Sequence, residues 1–388
     1  MDFIAERISK LTPSMTLSIT AKAKQMQSEG VDVCSFGAGE PDFDTPDFIK
    51  AAAMQALEEG KTKYTHTSGI PELRKAIAEK LLLENEVEYD PNQVVVSCGA
   101  KHSLFNVITA ICDPGDEVII PAPYWTSYPE MVRIAGAEPT IVQTRAEDGW
   151  KLRPEDFSNN MSGRTKAVIL NSPGNPTGAV YSQEELAALG EVAAEEDIII
   201  ISDEIYEKLI YNDRKHVSIA SISEELKALT VTVNGFSKSY SMTGWRLGYL
   251  AAPESIAKAV DNIQSHTTSN PTTFAQYGAL AALQAPQEFV EDMRQEFDMR
   301  RQYMLNRLKK IKNVSVVEPE GAFYFLVDTS AMHLSSMNLT EKLLSRYHVA
   351  AVPGMAFGHD ASVRLSYAMG LDVIKKGLDR FEDFCHSH

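Results

Sequence analysis

The chain has little cysteine, no long apolar run and no excess of basic charge. Four cysteines, Cys34, Cys98, Cys112 and Cys385, stand among 388 residues, and no two of them form a CxxC pair. Three lie in or beside apolar runs, so buried reduced thiols are expected in place of a disulfide framework, a usage that fits a cytoplasmic protein. No apolar run approaches the ~20 residues that span a bilayer. The opening stretch, MDFIAERISKLTPSMT, has no apolar core of the signal-peptide kind. Lys and Arg number 37 against 53 Asp and Glu, for a formal net charge of −16. That balance argues against nucleic acid and anionic membranes as partners, and an anionic ligand would need a locally positive pocket. Repeats and low-complexity tracts are absent, and the nine histidines show no metal-ligand spacing, so no metal site is expected.

What is present is an ordinary globular composition, 44% hydrophobic and 23% charged, in a chain long enough for one large domain and a smaller one. From 45 to 285 short apolar runs alternate with amphipathic segments. TPDFIKAAAMQALEEG reads as a helix with Thr45 as N-cap, Pro46 at its first position and Gly60 as its stop. VVVS (94–97), DEVIIPAP, KAVIL (166–170), IIIIS (198–202), LTVTV (229–233) and RLGYLAA (246–252) read as strands, several apolar throughout, as strands covered on both faces are. The alternation predicts an α/β sheet, mostly parallel. After 285 one long charged helix and the short strands VSVV, FYFLV, VAAV and VRLSY predict a smaller α+β domain, closed by a helix over 371–385. Residues 1–44 fit neither pattern and are expected to pack against that domain.

In open α/β sheets ligands bind beyond the carboxyl ends of the strands. Four such ends carry chemistry here. Gly99, Ala100 and Lys101 open a helix after VVVS; NSPGNPTG follows KAVIL; Asp203 and Tyr206 follow IIIIS; Lys238 follows LTVTV. A glycine at a helix start is an anion cradle, because free N–H groups and the helix dipole both favour phosphate there. Arg246 and Lys101 could add charge. Asp203, just past four isoleucines, needs a cationic partner, which a protonated heterocycle nitrogen would provide. Lys238, set among small residues, would have a lowered pKa and act as an amine nucleophile. A phosphate cradle, a carboxylate for a ring N–H⁺ and an imine-forming lysine are the requirements of pyridoxal 5′-phosphate.

The sequence resembles the fold-type I pyridoxal-phosphate aminotransferases, most closely the bacterial aspartate aminotransferase branch of class I. The likeness runs nearly end to end through AGEPDFDTP, KYTHTSGIPELR, DPGDEV, PYWTSYPEM, NSPGNPTGAVY, SDEIYE, SKSYSMTGWRLGY and VRLSYA. It implies a large domain (45–285) with a mostly parallel seven-stranded sheet flanked by helices, and a small α+β domain formed by 1–44 and 286–388. By resemblance Lys238 is the Schiff-base lysine and proton carrier, and Asp203 keeps the cofactor ring nitrogen protonated. Tyr206 and Asn175 address the ring oxygen, Trp125 stacks on the ring, and Gly99, Ala100, Lys101 and Arg246 hold the phosphate. Tyr64 resembles a tyrosine that reaches the phosphate from the other subunit, which implies a homodimer with active sites at the subunit interface. Arg364 matches the arginine that grips the substrate α-carboxylate, and Gly39 lies beside the substrate, where Trp125 and Asn175 also serve. Lys101 and Thr16 match residues that read a distal carboxylate.

The activity so implied is transamination between L-aspartate and 2-oxoglutarate, giving oxaloacetate and L-glutamate. Prephenate or aromatic aminotransferase is the alternative. Relatives active on prephenate commonly carry lysine just before the PSxT proline, where this chain has Thr12. A carbon–sulfur lyase and a binding protein on an inactive fold are further rivals. Lys101 opposes the first, and the joint presence of Lys238, Asp203, Tyr206 and Arg364 opposes the second. Taken singly, each residue has a plain reading: Asp203 a helix cap, Tyr206 and Trp125 core aromatics, Arg246 and Arg364 ion pairs, Asn175 a turn, Lys101 a solvated lysine, Tyr64 packing. Their order and spacing overturn those readings together. FGAGEPD lacks the third glycine of a dinucleotide fingerprint, and GKT at Gly60–Thr62 has Gln55 where a P-loop needs glycine.

Overall fold

The computed structural model describes residues 3–9, 11–13 and 15–387. Its strands are, in chain order, β1 (Cys34–Ser35), β2 (Val94–Ser97), β3 (Glu117–Ala122), β4 (Glu138–Gln143), β5 (Thr165–Asn171), β6 (Ile199–Asp203), β7 (Thr230–Gly235) and β8 (Gly248–Ala251). They continue with β9 (Ser315–Val316), β10 (Tyr324–Asp328), β11 (Val349–Ala350), β12 (Val352–Pro353) and β13 (Ser362–Ser366). Seven of them form one sheet in the order β2-β8-β7-β6-β5-β3-β4. The pairs β3/β4, β3/β5, β5/β6 and β6/β7 are parallel, while β8 runs antiparallel to both of its neighbours. This is the mostly parallel, helix-flanked α/β sheet of the fold-type I architecture.

The central strands are apolar throughout because both faces are covered. Along β5, Ala167 and Ile169 enter one hydrophobic cluster with Ile201 and Val231. Val168 and Leu170 point the other way and meet Ile200 and Leu189. The two-residue period of a strand thus divides one run between two cores. The helix Gln183–Glu195 on the second face starts with Ser182 and Glu185 in a reciprocal capping box.

The helix near residue 50 begins one position later than its sequence pattern predicts. Pro46 is the cap of Asp47–Glu58, and Thr45 is used elsewhere: its hydroxyl donates to Ser241 O at 2.6 Å and accepts Trp245 Nε1 at 3.0 Å. β4 has no counterpart among the strands expected from the sequence. It is the sheet edge, and four of its six residues are neither buried nor apolar enough to mark it: Glu138 and Gln143 are exposed, Pro139 and Thr140 half-buried.

The C-terminal part forms a four-stranded sheet, β12-β13-β10-β9, preceded by the helix Glu288–Leu308. The VAAV stretch is split between two sheets, β11 and β12. β11 pairs in parallel with β1, Cys34 opposite Val349 and Ser35 opposite Ala350. The N-terminal segment is therefore hydrogen-bonded to the C-terminal part. All four cysteines are free; Cys34, Cys112 and Cys385 are buried and Cys98 is half-buried. Among the described residues no helix is long and apolar enough to cross a membrane.

Candidate active site

The carboxyl ends of β2, β5, β6 and β7 open on one cavity of about 600 Å³, whose lining includes Lys238, Asp203, Tyr206, Asn175, Arg246 and Arg364. Thr16, Gly39, Ala100, Lys101 and Trp125 also line it. The residues that the sequence brought forward from four strand ends and from several other segments are thus gathered at one place, with two exceptions. Gly99 lies just behind the wall, and Tyr64 is 89% exposed on the surface of the single chain.

Asp203 ends β6 and is buried, 3% exposed. Oδ2 accepts the Tyr128 hydroxyl at 2.6 Å, and Oδ1 accepts the backbone N–H of Ile205 at 3.2 Å. No cationic side chain is hydrogen-bonded to it among the described residues. Burial pushes its pKa up to about 6, against the pull of the Tyr128 and Ile205 donors; Glu204 adds to the rise and Lys238 opposes it. Lys238 Nζ donates to the carbonyl of Gly39 and lies 5.9 Å from the ring centroids of Tyr206 and Phe323. Desolvation brings its pKa down to about 8, helped by Arg364 and Arg246 and resisted by Glu40 and Asp203. An amine that loses its proton so near neutrality is a usable nucleophile and base.

Tyr206 is buried and shares a 2.9 Å hydroxyl contact with Tyr324 on β10. Burial drives its pKa well above the usual phenol value, with Tyr324 adding to the effect, so it can act only as a neutral hydroxyl. Arg364, on β13, is 2% exposed. Nη1 donates to Asn175 Oδ1 at 3.1 Å and Nη2 to Gly37 O at 3.0 Å, while buried Nε has no partner. Its guanidinium carbon stands 4.3 Å from the Tyr324 ring centroid. Among the described residues this buried guanidinium has only carbonyl oxygens as acceptors, which leaves unused donors and uncompensated charge, so an entering carboxylate is favoured.

The opposite end is built from the start of the helix Ala100–Ile111, capped by Gly99 at φ 88°. The left-handed φ requires glycine, and so does space: a Cβ on Gly99 would lie 2.6 Å from Arg246 Nη2. Arg246 donates to the carbonyls of Thr243 at 2.8 Å and Cys98 at 3.3 Å. It sits at φ 55° two positions before β8, outside the strand although the run RLGYLAA predicts it within. Lys101 Nζ stands 4.9 Å from the Trp125 ring centroid. Its pKa is lowered by desolvation and by Arg246. A Cβ on Gly39 would have Tyr324 Oη as its nearest neighbour, 3.7 Å away. Among the described residues no atom crowds a side chain there, and Gly39 lines the cavity.

The donor set fits pyridoxal 5′-phosphate. Among the described residues, a buried carboxylate without a cation, an amine with a depressed pKa, and a helix N-terminus beside an arginine that has no carboxylate partner are the kinds of group that a ring nitrogen, an aldehyde and a phosphate call for. Tyr128, Tyr324 and Glu40 join the site without having been marked by the sequence. Tyr128 and Glu40 lie inside PYWTSYPEM and AGEPDFDTP, but nothing in a one-dimensional pattern shows which carboxylate a tyrosine reaches 75 residues away.

A model of the family "Aminotransferase class I and II" matches residues 31–381. The chain is 54% identical to a protein from Aquifex aeolicus named "Probable aspartate/prephenate aminotransferase", over 98% of each chain. It is 50% identical to the aspartate aminotransferase of Bacillus subtilis, over 99% of each. The structure of Thermus thermophilus aspartate aminotransferase with maleate superposes with a TM-score of 0.95 at 44% identity, covering 99% of this chain and 100% of that one. With its fold, its cavity and these relatives in agreement, the chain belongs to the class I and II aminotransferases.

Proposed function

We propose that this aminotransferase moves the amino group of L-aspartate to 2-oxoglutarate, forming oxaloacetate and L-glutamate, with pyridoxal 5′-phosphate held in the cavity described above. The observation that carries the proposal is Arg364, buried in the same cavity as Lys238, Asp203 and Lys101 and without a carboxylate partner among the described residues. The cofactor, when bound, supplies a carbonyl to receive the amino group and a ring that withdraws electrons from the substrate Cα.

The chain's residues do the rest. Asp203 would hold a proton at the ring nitrogen. Gly99, Ala100, Lys101 and Arg246 would neutralise the phosphate, Trp125 would cover the ring, and Tyr206 with Asn175 would serve the ring oxygen. Arg364 fixes the substrate α-carboxylate through a guanidinium fork, which sets the Cα–H within reach of Lys238. Lys238, poised near neutrality, takes that proton and returns it on the other side of the transfer. Lys101 and Thr16 would meet the distal carboxylate; that the substrate is dicarboxylic is supported by the Thermus relative's structure with the dicarboxylate maleate.

Prephenate is the second substrate reading. Two supports are the names of relatives such as the Cereibacter sphaeroides aspartate/prephenate aminotransferase, 45% identical, and a cavity of about 600 Å³. The division into 45–285 and 1–44 with 286–388, with the small part closing over the substrate to exclude water, belongs to the same proposal. So do the cytoplasmic location and the homodimer in which Tyr64 reaches the partner's phosphate site.

The test is a substrate panel. Purified protein loaded with pyridoxal 5′-phosphate is assayed with aspartate, glutamate, prephenate and alanine. Aspartate and glutamate should lead, and Lys101→Ala should raise KM for aspartate far more than for alanine. Equal effects on both, or pyruvate release without an oxo-acid acceptor, would overturn the reading.

A further inference from the structure

Asp203 is useful only while ionised, yet its surroundings work against ionisation. It is 3% exposed, and Glu204, a second buried carboxylate, is the next residue. Without compensation such a group takes up a proton and can no longer hold one on a ring nitrogen. The charged or titratable groups that face it are Tyr128, Glu204, Lys238 and Tyr206. Glu204 is engaged elsewhere, by Ser202, His216 and Ser218. Tyr206 is paired with Tyr324. Lys238 changes its bonding during the reaction proposed above. Tyr128 is the one side chain hydrogen-bonded to the Asp203 carboxylate among the described residues; Asn171 Nδ2 donates to its backbone carbonyl instead.

Tyr128 is well built for that task. It starts the short helix Tyr128–Ile134 and is 2% exposed. Its ring meets Trp125 edge to face, with centroids 5.3 Å apart, and Lys101 stands over the other aromatic. The hydroxyl has Asp203 Oδ2 as its acceptor at 2.6 Å, a short charge-assisted bond. Burial and the Asp203 charge push its pKa well above the usual phenol value, so it stays a donor at every working pH. Together with the Ile205 N–H on Oδ1, it fixes both oxygens and so the plane of the carboxylate. Each oxygen keeps a lone pair for a further donor.

We infer that Tyr128 is a positioning residue for the cofactor: its hydroxyl keeps Asp203 ionised and aims it at the ring nitrogen. The inference rests on the proposed cofactor, but its first test does not. In cofactor-free protein labelled with ¹³C at aspartate Cγ, the Asp203 signal is found by its loss in Asp203→Asn. Tyr128→Phe keeps the ring and its contact with Trp125 and removes only the hydroxyl. The carboxyl titration should then rise by roughly one to two pH units, the worth of one charge-assisted bond. A titration that coincides with the wild type overturns the inference. In loaded protein, ring ¹⁵N-labelled pyridoxal 5′-phosphate should shift towards the neutral-pyridine signal in Tyr128→Phe, as the proton moves to the carboxylate. An unchanged ¹⁵N signal with cofactor bound overturns it equally. Wild-type protein that binds no cofactor would count against the proposed function alone, and the carboxyl titration would still decide the role of Tyr128.

Discussion

Arg364 Nη1 donates to Asn175 Oδ1 at 3.1 Å. That bond joins β13 of the small sheet to the loop following β5 of the large one. Asn175 is itself oriented by its neighbour, since its backbone N–H donates to Asn171 Oδ1 at 2.8 Å. The guanidinium is thereby aimed into the cavity before any carboxylate arrives, so little side-chain ordering remains to oppose binding.

Arg364→Lys keeps the charge and loses the fork. Truncating one partner of a desolvated charge pair costs about 2 kcal/mol or more, so kcat/KM should fall at least ~30-fold. The loss should appear with every α-amino acid and be absent with simple amines that have no carboxylate. Steady-state kinetics on both classes checks this; an equal loss for the amines would remove Arg364 from carboxylate recognition.

Gly99→Ala should damage the phosphate end specifically. The substitution meets both a left-handed φ of 88° and the Arg246 Nη2 atom 2.6 Å away. The backbone cost is about 1–3 kcal/mol, and displacement of Arg246 adds to it. The Kd for pyridoxal 5′-phosphate should rise roughly tenfold or more, measured by absorbance titration. An unchanged Kd would show that the cradle tolerates a side chain.

The cofactor-free protein should carry a pH-dependent penalty at Lys238. Its pKa falls from 10.5 unfolded to about 8 folded. Between those values the unfolded chain holds the proton and the folded chain does not, so stability from this group rises with pH across that window. Below it the desolvated, half-buried ammonium costs on the order of 3 kcal/mol. Lys238→Met should therefore raise the Tm of cofactor-free protein at neutral pH, with the gap closing as the pH approaches 10.5. A gap independent of pH would mean that the amine is not desolvated.

Tyr64 is 89% exposed in the single chain, and the proposed role places it against a partner's phosphate site. Tyr64→Ala and Lys238→Ala homodimers should each be strongly impaired. Mixed and re-associated, they form hybrids with one site that holds both native residues. Activity should then recover towards half that of a native dimer for each hybrid formed. Failure to recover in verified hybrids would place Tyr64 outside the active site.

Most of this architecture was legible because its signals are local. Continuous apolar runs marked β5, β6 and β7, and glycine before an amphipathic run marked the helix Ala100–Ile111. Residues at strand ends could be gathered by the general rule for α/β sheets. What escaped was set by tertiary contacts. β4 is an edge strand whose Glu138 and Gln143 face solvent. Thr45 has the identity of a helix cap but spends its hydroxyl on Ser241 and Trp245. Tyr128 and Tyr324 gain their roles only when folding brings them to Asp203 and Tyr206. The resemblance supplied functional roles that spacing alone left open, above all for Tyr64 and Arg364.

The most direct measurement is the site of covalent attachment. Protein loaded with pyridoxal 5′-phosphate is reduced with borohydride, digested and analysed by mass spectrometry. A phosphopyridoxyl group is expected on Lys238, with loss of that label in Lys238→Ala. A label on another lysine, or no stable label in active protein, would contradict the assignment of Lys238 as the imine-forming amine.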